Sequence, residues 1–208
     1  MTQNAALMQE LLNKLAAIPC RRWVLRGVQN PENVAEHTMA VAMLSMMYLP
    51  HELDAVRVHE LALTHDLPVI YAGDVTPQDQ VTAAEKEAAE REAMKRITRE
   101  TGTQYLMPLF EEFRAQKTRE ARFVRDIDCY QCVLQAEHYD KNNLAQQELV
   151  PELYAYANSR MKTFVGKSLI EMFHRRWEPQ AQERRLIRAK WHGGVVQIAG
   201  KMIELARS

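Results

Sequence analysis

The chain has 208 residues, 47% of them hydrophobic, and its 27 Lys and Arg residues balance 27 Asp and Glu residues. This length favours one domain with a sizeable core, and the zero net charge excludes a bulk attraction to nucleic acid or anionic membranes. Seven glycines and eight prolines favour helices over a turn-rich β fold. No apolar run reaches the ~18–20 residues that span a bilayer, and the start lacks a secretory signal. We therefore expect a cytoplasmic, all-α protein.

Apolar residues recur at helical spacing along most of the chain. The first predicted helix covers residues 4–17 and carries its leucines on one side. The sequence NPEN then opens a second helix, with Asn30 as the predicted N-cap and Pro31 as the first helical residue. Glu32 complements the positive end of that helix. The second helix is expected to stop near Pro50.

A third helix is predicted over residues 54–66, where a Leu-Pro pair interrupts it. After a polar loop comes the long charged helix AAEKEAAEREAMKRITRE, which Gly102 ends. Two further helices are expected over 104–116 and 118–140, and one or two more between residues 148 and 177.

Two histidines and two carboxylates fall on the inward faces of these helices. His37 and His65 each share a face with apolar residues, Asp66 follows at the end of the third helix, and Asp128 lies in line with Gln131. A single inward histidine is also typical of a hydrogen-bonded core residue. A buried aspartate, however, is costly unless it is paired or coordinated. Together the four side chains would satisfy one divalent cation and leave positions open for water and substrate.

Three segments, ENVAEHTMAVAML, LALTHDLPVIYAGDVTP and FVRDIDCYQCVLQAEHYD, resemble the H…HD…D signature of the HD-domain metal-dependent phosphohydrolases. Within that family the chain is similar to the bacterial 5′-deoxynucleotidases and to the HD domain-containing protein 2 group. The resemblance implies an all-α HD-domain helical bundle with a divalent metal site in its core. It implies that one Mn, Co, Fe, Zn or Mg ion is bound by four residues: His37, His65, Asp66 and Asp128. It also implies hydrolysis of (deoxy)nucleoside 5′-monophosphates with release of phosphate, and a homodimer.

The resemblance also suggests residues that contact the substrate. Arg22 stands where the deoxynucleotidases carry an arginine before a tryptophan, so it is the predicted clamp on the phosphoryl group. Trp23 is expected to line the base or sugar pocket, and Lys86 is a further candidate for phosphate contact. A surface ion pair for Arg22 and a solvated charge for Lys86 are the alternatives.

The chain departs from the family at one position. The family usually reads HD-x-x-E, and the resemblance implies that this glutamate takes part in proton transfer or in orienting the attacking water. This sequence reads HDLPV and has Val69 at that position. General acid–base assistance contributes about 10²–10⁴-fold to a rate. Asp74, in the retained Gly-Asp, is the predicted replacement, and Glu85 is a second candidate. The alternative is a catalytically weakened protein that binds metal and nucleotide without efficient turnover.

The expected domain covers residues 1–178, and residues 179–208 form a basic extension, predicted to be helical and packed on the domain or on a dimer partner. Arginines and two tryptophans in and just before this extension also allow a local nucleic-acid patch, which the balanced charge disfavours. A di-iron oxygenase is the rival enzyme, but the remaining histidines do not fall at matching inward positions. The three cysteines lack zinc-site spacing and indicate structural thiols.

Overall fold

The computed structural model describes residues 2–145, 149–180 and 182. Within these residues every regular element is helical, and the only pairing of extended backbone is an isolated bridge between Pro19 and Asn33. The all-α fold class predicted from the sequence is therefore confirmed. In the same part of the chain, no helix combines the length and the hydropathy that a bilayer-spanning segment needs.

The helices of the first compact unit, Met1–Lys167, follow one another with short connections. They are α1 (Thr2–Ala16), α2 (Arg21–Val24), α3 (Val34–Met47), α4 (Ala55–Thr64), α5 (Val69–Ala72), a 3₁₀ turn (Pro77–Asp79), α6 (Ala83–Thr101), α7 (Leu106–Ala115), α8 (Arg119–Lys141) and α9 (Leu149–Arg160). Residues 164–167 are also helical. The second unit begins at Ser168, and its described residues, 168–180 and 182, are helical.

The helix that carries His37 begins three residues later than predicted. Asn33, not Asn30, is the N-cap of α3: its side chain accepts from the backbone N–H of Glu36, and the Glu36 carboxylate accepts from the N–H of Asn33, both at 2.9 Å. This reciprocal capping box satisfies two free donors of the first turn. Asn30 instead has a left-handed backbone with φ of 51°, so it belongs to the preceding turn.

The helix before the His-Asp pair covers Ala55–Thr64, slightly shorter than the predicted 54–66. Asp54 is the N-cap of α4 and accepts from the backbone N–H groups of Val56 and Arg57 at 2.9 and 3.1 Å. At the other end His65 is the C-cap, and the chain turns before α5 begins at Val69. Asp66 lies in that turn, so the geometry of a continuing helix does not set the direction of its side chain.

The 23-residue helix α8 is the centre of the first unit and packs against α3, α4, α7 and α9. Phe123, Ile127 and Val133 on this helix are at most 1% exposed, and burial of each such side chain contributes about 1.5–3 kcal/mol. The same helix carries Asp128 and Gln131. The packing that stabilises the fold therefore also sets the position of the candidate site.

Two other predictions concern the cysteines and the basic extension. The cysteines are buried free thiols, as expected for structural residues. The basic extension lies almost entirely outside the described residues, so its predicted packing and the predicted boundary at residue 178 stay predictions.

Candidate metal centre

Helix α8 contacts both nitrogens of the His37 imidazole. Nε2 of His37 lies 3.2 Å from Oδ1 of Asp128, and Nδ1 lies 2.8 Å from Oε1 of Gln131. Asp128 and Gln131 are three residues apart, a spacing that puts their side chains on one face of a helix. The imidazole of α3 therefore sits between two side chains of the central helix.

The end of α4 brings a second imidazole and a second carboxylate to the same place. Nδ1 of His65 donates to the carbonyl of Ala62 at 2.7 Å, which leaves a lone pair on Nε2. That Nε2 atom is buried without a hydrogen-bond partner among the described residues, and Asp66 Oδ2 lies beside it at 3.4 Å. Asp66 Oδ2 is also 3.7 Å from Nε2 of His37. A buried acceptor with no donor is costly, and a bound cation would remove that cost.

The structure thus brings the four predicted metal-binding residues together around His37. The ligand atoms of His37, His65 and Asp66 lie within 4.8 Å of one another, and the same holds for His37, Asp128 and Cys132. Oxygen and nitrogen atoms bound to one divalent ion at about 2.0–2.3 Å lie roughly 3–4.5 Å apart. The separations within the group of His37, His65 and Asp66 fit such an ion, and Asp128 brings a second carboxylate to within 3.2 Å of His37 Nε2.

Charge is balanced at the centre of the site. Burial opposes protonation of His37, but the hydrogen bond with Asp128 and the charges of Asp66 and Glu32 raise its pKa to about 9. Burial likewise opposes ionisation of Asp128, yet His37 and Arg125 hold the pKa of this carboxyl well below its ordinary value. Arg125 lies 3.0 Å from Asp128 Oδ2. At neutral pH the metal-free protein therefore contains an imidazolium paired with a carboxylate.

Sequence reasoning missed two polar residues behind His37. Glu32 is 8% exposed and does not act at the helix end as predicted; it accepts from the indole N–H of Trp23 at 2.8 Å and from the amide of Gln131 at 2.9 Å. Gln131 in turn contacts His37. The only sequence signal was the place of Gln131 on the Asp128 face, since the Glu32 contact joins residues 99 positions apart.

Arg22 reaches the edge of this centre. Its guanidinium donates to the sulfur of Cys132, one turn after Asp128 on α8. Burial raises the pKa of the Cys132 thiol well above its ordinary value, so that thiol is neutral in the metal-free protein. An arginine stays protonated in proteins, and Arg22 therefore supplies a permanent positive charge next to the two histidines and two carboxylates.

The position of the missing glutamate is apolar and closed. Val69 is 8% exposed and begins α5. Asp74 accepts from the backbone N–H of Arg21 at 2.7 Å, which holds its carboxylate beside the residue that precedes Arg22. Glu85 accepts from the N–H and hydroxyl of Thr82 at 2.9 and 2.7 Å as the capping box of α6. The Glu85 carboxylate is therefore engaged in the helix cap, whereas the Asp74 carboxylate lies on the same side of the site as Arg22.

The two other predicted substrate residues are engaged within the protein. Trp23 is 1% exposed and packs with its ring edge-on to Tyr139 at 5.2 Å. Its role in lining the base or sugar pocket stays a prediction. Lys86 donates to the carbonyl of Val75 at 2.7 Å and lies 3.7 Å from Glu90. These groups line an open cavity of about 390 Å³ between α5 and α6. A phosphate contact by Lys86 stays a prediction.

The helical bundle and its His and Asp cluster define a member of the HD class. A model of the HD domain family matches residues 12–167, and the chain belongs to the HD domain family. Among curated proteins, the 5′-deoxynucleotidase HDDC2 of Homo sapiens is 37% identical over 133 residues, which are 62% of this chain and 65% of that protein. The 5′-deoxynucleotidase hdd1 of Schizosaccharomyces pombe is 29% identical over 147 residues, which are 67% of this chain and 74% of that protein. The chain therefore spans just under two thirds of the human relative.

Solved structures agree with the fold. A conserved hypothetical protein from Pyrococcus furiosus superposes with a TM-score of 0.67 and 26% identity, over 79% of this chain and 96% of that one. A predicted metal-dependent phosphohydrolase from Magnetospirillum magnetotacticum superposes with a TM-score of 0.61 and 23% identity, over 88% of this chain and 94% of that one.

Proposed function

We propose that this protein is a metal-dependent phosphohydrolase that releases phosphate from (deoxy)nucleoside 5′-monophosphates. The observation that carries the proposal is the meeting of His37, His65, Asp66 and Asp128 from α3, the end of α4 and α8. Relatives named 5′-deoxynucleotidase in organisms as distant as Homo sapiens and fission yeast support the substrate class.

One divalent ion would be held by the two imidazole Nε2 atoms and the carboxylates of Asp66 and Asp128. An ion in such a place draws charge from a phosphoryl oxygen and lowers the pKa of a bound water. The residues fit it because His65 Nε2 is a buried acceptor that has no donor within the described part of the chain. Imidazole and carboxylate ligands suit Mn, Fe, Co and Zn, and Mg accepts the oxygens.

Arg22 supplies the second positive charge that a phosphomonoester dianion requires. A guanidinium can contact two phosphoryl oxygens at once, and its present partner, the neutral thiol of Cys132, is a weak acceptor that a phosphate oxygen would displace. The Arg22 contact with Cys132 therefore supports a proposal in which the phosphoryl group binds on this side of the site.

Asp74 handles the proton in this proposal. Its carboxylate accepts from the backbone N–H of Arg21, so it stands next to the proposed phosphate clamp and is held by the same segment. A carboxylate so placed accepts a proton from the attacking water or returns one to the leaving sugar oxygen.

One observation favours a second candidate function. Val69, at the position of the family's glutamate, is buried and cannot move a proton. If Asp74 does not replace that group, the protein binds metal and nucleotide with little turnover. The two candidates differ in rate, not in the location of the site.

Phosphate release tests the proposal directly. A panel of ribo- and deoxyribonucleoside 5′-monophosphates is incubated with the protein and Mn, Co, Fe, Zn or Mg, and free phosphate is measured. Asp66→Ala should lose activity with every metal, whereas Glu92→Ala, which removes an exposed carboxylate on α6, should not. Activity that Asp66→Ala retains, or metal-dependent binding of nucleotide without release, would reject the hydrolase.

The homodimer, which the family resemblance implies, and the cytoplasmic location stay predictions. Light scattering on the purified full chain measures the first, and fractionation of the source cells measures the second.

A further inference from the structure

A chain of three buried hydrogen bonds ends on the imidazole of His37. The indole Nε1 of Trp23 donates to Oε1 of Glu32 at 2.8 Å, the amide Nε2 of Gln131 donates to Oε2 of Glu32 at 2.9 Å, and Oε1 of Gln131 lies 2.8 Å from Nδ1 of His37. All four side chains are buried, with exposures between 1% and 8%. Water does not compete for these bonds.

The chemistry of the groups gives the chain one direction. An indole nitrogen can only donate, and an ionised carboxylate can only accept. Glu32 therefore accepts at both oxygens, and the Gln131 amide must turn its NH₂ toward Glu32 and its oxygen toward His37. Since that oxygen also only accepts, the hydrogen must be on Nδ1 of His37.

Two further contacts fix Glu32 itself. Its backbone N–H donates to the hydroxyl of Tyr139 at 2.7 Å, and its carbonyl accepts from the N–H of Cys20 at 2.9 Å. The Glu32 carboxylate stays 4.0 Å from Nδ1 of His37, so it acts on the imidazole through Gln131 and not by direct contact.

We propose that Glu32 and Gln131 are positioning residues that hold the hydrogen of His37 on Nδ1 and so leave Nε2 as the atom that binds the metal. Nε2 is the nitrogen that faces Asp128 and Asp66, at 3.2 and 3.7 Å. A second hydrogen-bond partner of this kind orients a metal-binding imidazole and raises its basicity. The inference rests on the proposed metal centre.

Two single substitutions break the chain in different ways. Gln131→Met keeps the length of the side chain and removes the acceptor for Nδ1–H. Glu32→Gln removes no contact of His37 but reverses the direction of the hydrogen bonds. The indole N–H of Trp23 donates to the oxygen of the new amide, so the NH₂ of that amide faces Gln131. Gln131 must turn its own NH₂ toward His37, which moves the hydrogen from Nδ1 to Nε2.

Each single substitution should weaken Zn(II) binding by about 10–100-fold, the range found when such partners of metal-binding histidines are removed. The double variant Glu32→Gln/Gln131→Glu should restore binding to within a few-fold of wild type. In it the amide at position 32 accepts from Trp23 and donates to the carboxylate at position 131, which accepts from Nδ1–H. The number of bonds and the total charge are unchanged.

The test measures Zn(II) affinity by competition with a chromophoric chelator, and the ¹⁵N shifts of His37 in the Zn(II)-loaded protein. Gln9→Met, which removes an exposed amide on α1, is the control and should bind as wild type does. Wild type should show Nδ1–H and a metal-bound Nε2. Circular dichroism of each metal-free variant confirms that the fold is retained, and the double variant keeps the test decisive if a single variant is unstable.

The outcomes separate this inference from the proposed function. If the wild type binds neither Zn(II) nor Co(II), the metal centre and the inference are both rejected. If the wild type binds and the single variants bind equally well, only the inference is rejected. Weakened single variants without recovery in the double variant would also reject it, because a general loss of packing would then explain the result.

Discussion

His37 is buried and pairs with Asp128, whose side chain is 14% exposed, with Nε2 3.2 Å from Oδ1, at the proposed metal centre. The pKa of His37 is raised to about 9, so Nε2 carries a proton at neutral pH that a metal must displace. Metal affinity should therefore rise with pH, by up to about tenfold per pH unit below pH 9, and level off above it. Calorimetry at pH 7.5 in two buffers of different ionisation enthalpy should show about one proton released per ion bound.

Asp128→Asn tests the cause of the raised pKa in the metal-free protein. The amide cannot stabilise an imidazolium, so the pKa of His37 should fall, and an NMR titration of the His37 imidazole measures this. Binding that is independent of pH between 6 and 9 in the wild type would show that His37 is not a metal ligand.

Arg22→Ala should lower kcat/KM by roughly 10²–10³-fold, the cost of removing one preorganised charged donor at the reacting group. Arg22→Lys should recover little of this, because an ammonium cannot make the paired contacts of a guanidinium. The matched control is Arg21→Ala: the Arg21 side chain pairs with Asp79 on the surface, 3.1 Å from Nε, and its backbone N–H contact to Asp74 survives the substitution. Equal losses from both substitutions would contradict a specific role for Arg22.

Asp74→Asn should lower kcat by about 10²–10⁴-fold if this carboxylate moves the proton. Metal affinity should stay within a few-fold of wild type, since Asp74 is not among the residues that meet at His37. An unchanged kcat would point to another proton acceptor.

Val69→Glu tests the same step from the other side. In the Asp74→Asn background, a carboxylate at position 69 restores the family's arrangement, and kcat should recover by at least tenfold, part of the general acid–base contribution. Because Val69 is 8% exposed, burying a carboxylate there should also lower the melting temperature of the metal-free protein. A loss of stability without recovery of rate would mean that the glutamate position no longer faces the reacting atoms.

The sequence was sufficient for the longer helices, but it missed the short helices α2 and α5 and misplaced one helix start. Periodicity locates the helices because apolar residues at 3.6-residue spacing must share a buried face. The start of α3 was predicted three residues early because Asn30-Pro31 fits the N-cap pattern as well as Asn33 does. Only the reciprocal bonds between Asn33 and Glu36 separate the two, and they depend on backbone angles that residue types do not reveal.

A sequence motif identified the four candidate metal ligands, but it could not identify the polar residues that lie behind them. His37, His65, Asp66 and Asp128 carry a recognisable local spacing. Glu32 looked like a first-turn acid at a helix end, and its burial follows from the packing of α8 against α3. Contacts between residues about a hundred positions apart depend on how helices pack, and that information is absent from local periodicity.

Gly166 lies where the fold leaves no room for a side chain. A Cβ added there would lie 2.7 Å from Cβ and 2.8 Å from Cγ of Asp126. Asp126 cannot move away, because it is 1% exposed and accepts from the N–H of Lys162 at 3.0 Å and from the N–H and hydroxyl of Thr163 at 2.7 Å. Helix propensity favours Gly166→Ala by about 0.5–1 kcal/mol, but overpacking costs about 1–3 kcal/mol, so the variant should be less stable. Urea unfolding measures this, and Asp126→Gly/Gly166→Ala should lose less than the sum of the two single losses, because removal of the Cβ and Cγ of residue 126 removes the clash. Additive losses would show that Asp126 does not exclude the methyl group.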